Sequence, residues 1–143
     1  MSRATRFSVA IHALALIQHP GGCGGRLTSE AIAGSVGTNA SFVRRVLAML
    51  SHAGIVRSSP GVAGAVLARP PGEVTLLEIY HAVGLEGESR FAIHASPDQT
   101  CPVGKRIQGA LTNVVGAAEQ AFEAELGRRT LSQVFDLIAG PAA

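Results

Sequence analysis

"LTSEAIAGSVGTNASFVRRVLAMLSHAGIVRSSPG", residues 27–61, reads as two short helices, a tight link and the start of a hairpin. Thr28 is an N-cap, and Glu30 puts an acid in the first turn that follows, where the helix dipole favours one. Gly37 ends this helix. The link GTNA (37–40) leads into a second helix to about His52, with Phe42, Val46, Leu47, Met49 and Leu50 on its inner face and Ala53-Gly54 as its stop. Such a short link containing a glycine is the spacing of a helix-turn-helix. Arg44 and Arg45 fall between the inner positions, on the solvent side. In a helix-turn-helix this second helix enters the major groove of DNA, and its N-terminal residues meet base edges. A guanidinium there can give two parallel hydrogen bonds to guanine O6 and N7.

Working outward, residues 3–18 place Phe7, Ile11, Leu14 and Ala15 at helical spacing, with Val9 and Leu16 widening the apolar face. HPGGCGG (19–25) then breaks the chain. Downstream, IVRSS and VLAR are two β-prone pieces around a Pro/Gly turn, which predicts a hairpin. Thr75 caps a helix with Leu76, Leu77, Ile79, Tyr80 and Val83 on one face. Residues 86–100 look irregular apart from an extended stretch at RFAIH (90–94). A long helix is expected from about Pro102 to Leu126, its apolar face running from Val103 and Ile107 to Phe122, and Thr130 caps a last one. Helix, helix, turn, helix, hairpin is the order of a winged helix-turn-helix. The expected fold is mainly α with a small β wing: a winged helix-turn-helix head over 1–72 and a helical dimerisation and sensing region over 73–143.

The 143 residues are 47% hydrophobic with a mean hydropathy of +0.30, more apolar surface than a small monomer buries, so a homodimer is expected. The formal charge of +2 conceals a division. Residues 1–72 carry seven arginines against Glu30 alone, a balance of +6, and residues 73–143 carry five basic against nine acidic residues, a balance of −4. A basic head on an acidic body suits nucleic-acid binding. Asn39, Ser41, Arg44 and Arg45 are the candidates for the groove, and Arg57, Ser58 and Ser59 lead into the wing. The starts of the two upstream helices offer Thr28 and Ser29 for a phosphate and Arg3 and Arg6 for the DNA backbone. The apolar run FSVAIHALALI, eleven residues, is too short to span a membrane and lacks a signal-peptide cleavage site, so a cytoplasmic protein is expected. GxSxG, P-loop and HExxH motifs are absent, which argues against an enzyme. The five histidines show no metal-binding spacing, and His12 and His81 are expected as packed, hydrogen-bonded side chains. The alternative is a helical protein-interaction module or antitoxin-like subunit, which would use the apolar long helix on a partner and bind no specific DNA.

From about residue 5 to 138 the chain resembles the Rrf2 family of bacterial transcriptional regulators. The likeness is carried by FSVAIHALALI, SEAIAGSVGTNASFVRRVLAMLSHAGIV, PGVAGAVLARPPGEVTLLEIYHAVG and CPVGKRIQGAL. It implies winged heads on a homodimer, long helices that cross between subunits, and a double-stranded DNA operator of two half-sites. Some members hold an iron–sulfur cluster on three closely spaced cysteines ahead of the long helix. Here that region has Cys101 only, so no cluster and no metal is expected, and the chain is closer to cluster-free members. The wing departs as well, with Ala63 and Ala65 where a glycine-rich, arginine-containing wing is common. Regulation is expected from a small-molecule effector or from thiol oxidation at Cys23 and Cys101, the latter just ahead of a helix N-terminus that lowers a thiol's pKa.

Overall fold

A computed structural model describes residues 2–19, 27–58 and 64–141. After a 3-10 turn at Arg3–Thr5 come α1 (Arg6–Gln18), α2 (Ser29–Val36) and α3 (Ala40–His52). Strands β1 (Val56–Ser58) and β2 (Ala65–Leu67) follow, and a second 3-10 turn (Pro71–Glu73) precedes α4 (Leu76–Ala82), α5 (Gly104–Arg128) and α6 (Leu131–Ala139). The strands pair antiparallel, with Val56 opposite Leu67 and Ser58 opposite Ala65. This is the expected winged helix-turn-helix with a long helix beyond it.

α1 is the hub. Val9, Ala10, Ala13, Leu14, Ala15 and Ile17 are buried, so of the six apolar positions the spacing selects, Val9, Leu14 and Ala15 lie in the core while Phe7, Ile11 and Leu16 are partly buried. Ala13 packs with Ile32 and Ala33 of α2 and Val43 of α3. Leu14 joins Val46 and Leu50 of α3, Ile55 ahead of the wing, Ile79 of α4 and Leu131 of α6. Alanines at these positions let neighbouring backbones come close without voids. One core therefore draws on elements from both ends of the chain.

Local chemistry sets the helix ends. Thr28 Oγ1 accepts from the Ala31 amide at 3.1 Å, and Asn39 Oδ1 accepts from the Phe42 amide at 2.9 Å. Gly37, at φ +83°, turns the chain from α2 towards α3 while its amide donates to the Ala33 carbonyl. Thr75 with Glu78 and Thr130 with Gln133 form capping boxes on α4 and α6. These two starts are stitched together: the Leu76 amide donates to the Arg129 carbonyl and the Leu131 amide to the Val74 carbonyl, both at 2.9 Å. That stitch returns α6 to the head and places Leu131 and Phe135 in the core.

Two expectations change. RFAIH forms no strand, because α5 side chains take up the backbone groups of the segment around it: Gln108 Nε2 donates to the carbonyls of His94 and Ala95, and Glu119 accepts from the Arg90 amide. His81 is half-buried but its Nε2 finds no hydrogen-bond partner, whereas His12 Nε2 lies 3.0 Å from Ser35 Oγ as a packed, bonded histidine should. The long helix α5, 25 residues or about 37 Å, buries none of them, and Val103 and Val114 stand 70% and 64% exposed.

At the base of the wing Gly64 has φ +111°, and a Cβ there would sit 2.6 Å from the Leu27 carbonyl oxygen. Gly64→Ala is expected to lower the unfolding free energy by about 2 kcal/mol. Gly72→Ala, which meets open space at an ordinary φ, should stay within roughly 0.5 kcal/mol of the parent. Urea unfolding at fixed protein concentration compares the two; equal losses would refute the account of the wing base.

Candidate nucleic-acid interface

α3 buries Phe42, Val43, Val46 and Leu50 and so turns Ser41, Arg44, Arg45, Ala48 and Ser51 outward. Ser41, Arg44, Ala48 and Ser51 recur at three- and four-residue steps and form one stripe. Across a groove of about 490 Å³ this stripe faces the wing, with Arg44, Ser51, Arg57 and Ser58 among the lining residues. The fold thus brings Arg44, Arg57 and Ser58 together as the sequence suggested. Ala48 and Ser51 belong to the same surface and were missed. Their signal was available, since they lie one and two turns beyond Arg44 on its own face. An outward alanine suits the methyl of thymine.

The guanidinium groups differ in their surroundings. Arg44 Nη1 donates to Glu30 Oε1 at 3.1 Å, and its Nη2 lies 3.5 Å from Ser41 Oγ. The Arg45 guanidinium lies over the Phe42 ring, 5.9 Å from its centroid. Glu30 keeps its carboxyl below the usual carboxylate range through its own backbone amide, then Arg44 and the Thr28 hydroxyl. Thr28 and Asn39 each spend a side-chain oxygen on capping; the Thr28 hydroxyl also serves the Glu30 carboxylate, and the Asn39 amide keeps its donors to offer. Ser29 opens α2 beside them, half-buried.

Other expected contacts lie elsewhere. Arg6 does not join this surface: its Nη1 donates to the Val83 carbonyl at 3.2 Å, answering the free carbonyls at the C-terminal end of α4. Arg3 contributes its backbone to the turn before α1. Ser59 and Cys23 lie outside the described residues, as does Ala63.

Between α1, α4 and α5 a second concavity of about 430 Å³ is lined by Phe7, Tyr80, Ser89, Arg90 and Phe122, among others. The Arg90 guanidinium carbon stands 3.4 Å from the Phe122 ring centroid and 5.0 Å from that of Tyr80. Tyr80 in turn meets Phe7 and Phe122 edge-on, with centroids 5.6 Å away in both cases. Arg90 Nη2 is buried there without a hydrogen-bond partner.

The chain belongs to the Rrf2 family: the family model, described as an iron-dependent transcriptional regulator, matches residues 3–137. It is 42% identical over 132 residues to YwnA of Bacillus subtilis strain 168, named as an HTH-type transcriptional regulator, a match covering 92% of this chain and 96% of YwnA. A crystal structure described as a DNA-binding protein aligns at 39% identity with a TM-score of 0.71, over 92% of this chain and 99% of that one. IscR of T. potens shares the fold at 23% identity and a TM-score of 0.62, over 97% of this chain and 90% of that one. The protein is a DNA-binding transcriptional regulator of the winged-helix type, not an enzyme. The alternative of an interaction module without DNA binding gives way to that finding.

Iron–sulfur clusters are held chiefly by cysteine thiolates. The chain has two cysteines, and among the described residues no three His, Cys, Asp or Glu side chains converge. Asp98, near Cys101, spends Oδ1 on the amide and hydroxyl of Thr100, at 2.8 and 2.7 Å. Cys101 itself is exposed in the turn before α5, and the backbone amides of Gly104 and then Val103 hold its thiol below the usual range. A lowered pKa puts more thiolate at neutral pH in the folded protein than in the unfolded chain. Iodoacetamide is therefore expected to alkylate Cys101 faster in native protein than in urea at the same pH, as peptide-resolved mass spectrometry reads it. Equal rates would remove the electrostatic account of this thiol.

Proposed function

We propose that the protein is a homodimeric repressor that reads a double-stranded DNA operator with α3 and the wing. The observation that carries this reading is the α3 stripe, with Arg44 facing Arg57 and Ser58 across the groove. Arg45 stands beside it as a second base reader, and Ser41 and Asn39 flank the helix start. Thr28 and Ser29 supply hydroxyls for a phosphate. Repression follows when the occupied operator overlaps a promoter.

Dimerisation rests on α5. A helix of this length with no buried residue cannot be stable in water on its own packing, and its apolar positions call for a second surface. A second copy supplies it, and twofold symmetry then presents two heads to two half-sites.

The response is ascribed to a small-molecule effector or to oxidation of Cys101, with Cys23 as a second thiol. The effector's place is the concavity between α1, α4 and α5, where a ligand touches head and long helix at once. The regulator works without an iron–sulfur cluster, in keeping with its donor set. Among the described residues no helix is long and apolar enough to cross a membrane; DNA as the partner supports a cytoplasmic location.

Fluorescence anisotropy on the DNA upstream of the protein's own gene, beside a scrambled duplex, tests the interface. Arg45→Ala is expected to cut the preference between them by about tenfold, within the roughly 1–3 kcal/mol of a bidentate base contact. Arg57→Ala should weaken both duplexes alike and reduce the log–log salt slope by about one. If both variants bind as the parent does, α3 and the wing are not the reading surface. Light scattering tests the dimer: Val114→Glu should shift the parent's dimeric mass towards that of a monomer, and a monomeric parent would refute it.

A further inference from the structure

Glu30 is the sole acid among residues 1–72, and the fold sets it at the start of α2 with its carboxylate against Arg44 of α3. An acid there works against DNA binding in two ways. It repels phosphate, and it adds negative charge at a helix N-terminus that otherwise attracts phosphate. The dipole of α2 favours an acid in this turn, but that contribution does not need Arg44. The pair with Arg44 itself contributes little to the fold, because the two side chains are 70% and 56% exposed, and it does not cap the helix, since Thr28 already does.

Resting on the DNA-reading assignment of α3, we propose that Glu30 is a specificity-determining residue that competes with DNA phosphate for Arg44. Non-specific complexes are held by phosphate contacts alone. A long arginine side chain free to swing adds one such contact on any sequence. Glu30 removes that option, because exchanging a carboxylate for a phosphate replaces one anionic acceptor by another and gains little. A guanine in the groove is different. The guanidinium has five N–H donors, and one goes to Glu30 Oε1. Arg44 can thus keep its carboxylate and still donate to a base edge. The ion pair leaves the base contact available and withholds the phosphate contact, so it lowers non-specific affinity more than operator affinity.

The test uses the full chain as wild type, Glu30→Gln, Arg44→Ala and the double variant, each confirmed folded by its thermal melt. Anisotropy is measured over a salt series on the upstream fragment and on the scrambled duplex. Glu30→Gln should bind the scrambled duplex several-fold more tightly, with a log–log salt slope steeper by about 0.9, the value of one released phosphate contact. Its preference for the upstream fragment should fall several-fold. In the Arg44→Ala background the same change should leave the slope unaltered. A slope unchanged by Glu30→Gln overturns the proposal, and so does equal steepening without Arg44, which would mean general charge repulsion. Wild type that fails to discriminate between the fragments overturns the DNA-reading assignment and this inference with it. Wild type that discriminates, with Glu30→Gln indistinguishable from it, overturns this inference alone.

Discussion

The burial of one broad face of α1 is the constraint on which the other elements depend. Ala10, Ala13 and Leu14 are wholly inaccessible, and through them α1 meets the helix-turn-helix on one side and the wing, α4 and α6 on the other. A larger residue at Ala13 would push α2 and α3 outward together, because Ile32, Ala33 and Val43 share its contact. The orientation of α3 is therefore inherited from α1. Its exposed stripe points away from the core because Phe42, Val43, Val46 and Leu50 must point in. The proposed DNA-reading surface is what a packing solution leaves over: whatever α3 does not bury, it presents.

The charge division follows from the same geometry. Among the described residues of the head, two arginines find carboxylates, Arg44 with Glu30 and Arg69 with Glu78, and they do so to different ends. Arg69 pairs with Glu78 at 2.8 Å while Glu78 also closes the capping box of α4, so that pair stabilises a helix start. Glu78 is held below the usual carboxylate range by Arg69 first, then by the Thr75 amide, and keeps its charge in neutral solution. The Arg44–Glu30 pair closes no capping box. One ion pair serves a helix start and the other lies on the surface proposed to meet DNA.

Much of this was legible in sequence because it is encoded locally. Thr28, Thr75 and Thr130 cap helices through contacts three residues away, and Gly37 turns the chain where a left-handed residue is needed. Apolar spacing gave the inner face of α3, though it passed over Val43, which is wholly buried against Ala13. What failed was long-range. Arg6 looks like one more basic residue until Val83, 77 positions away, offers it a carbonyl. RFAIH has strand composition, but a strand needs a neighbour, and α5 side chains take up the backbone groups instead. The Glu30 partnership with Arg44 spans the link of the helix-turn-helix, fourteen residues in sequence, and no periodicity reveals it. The final turns of the stripe, Ala48 and Ser51, were within reach of the same helical spacing that found Arg44.

The packing also links the segment ahead of α5 to α1 and, through it, to α3. Arg90 belongs to the segment ahead of α5, and its guanidinium is held between Phe122 of α5 and Tyr80 of α4. Tyr80 meets Phe7 of α1 edge-on. Glu119 of α5 fastens the same segment by accepting from Ser89 Oγ at 2.7 Å and the Arg90 amide at 2.8 Å. A shift of α5 against α4 is thus felt by α1 through three aromatic rings, and α1 carries α3. Packed interiors transmit such shifts because side chains have few alternative arrangements. Cys101 stands at the other end of that segment, in the turn from which α5 starts. A change in charge or bulk at the thiol and a ligand seated beside Arg90, as proposed, would act on the same lever from two points. The two proposed modes of regulation would differ in chemistry while sharing a mechanical path to α3.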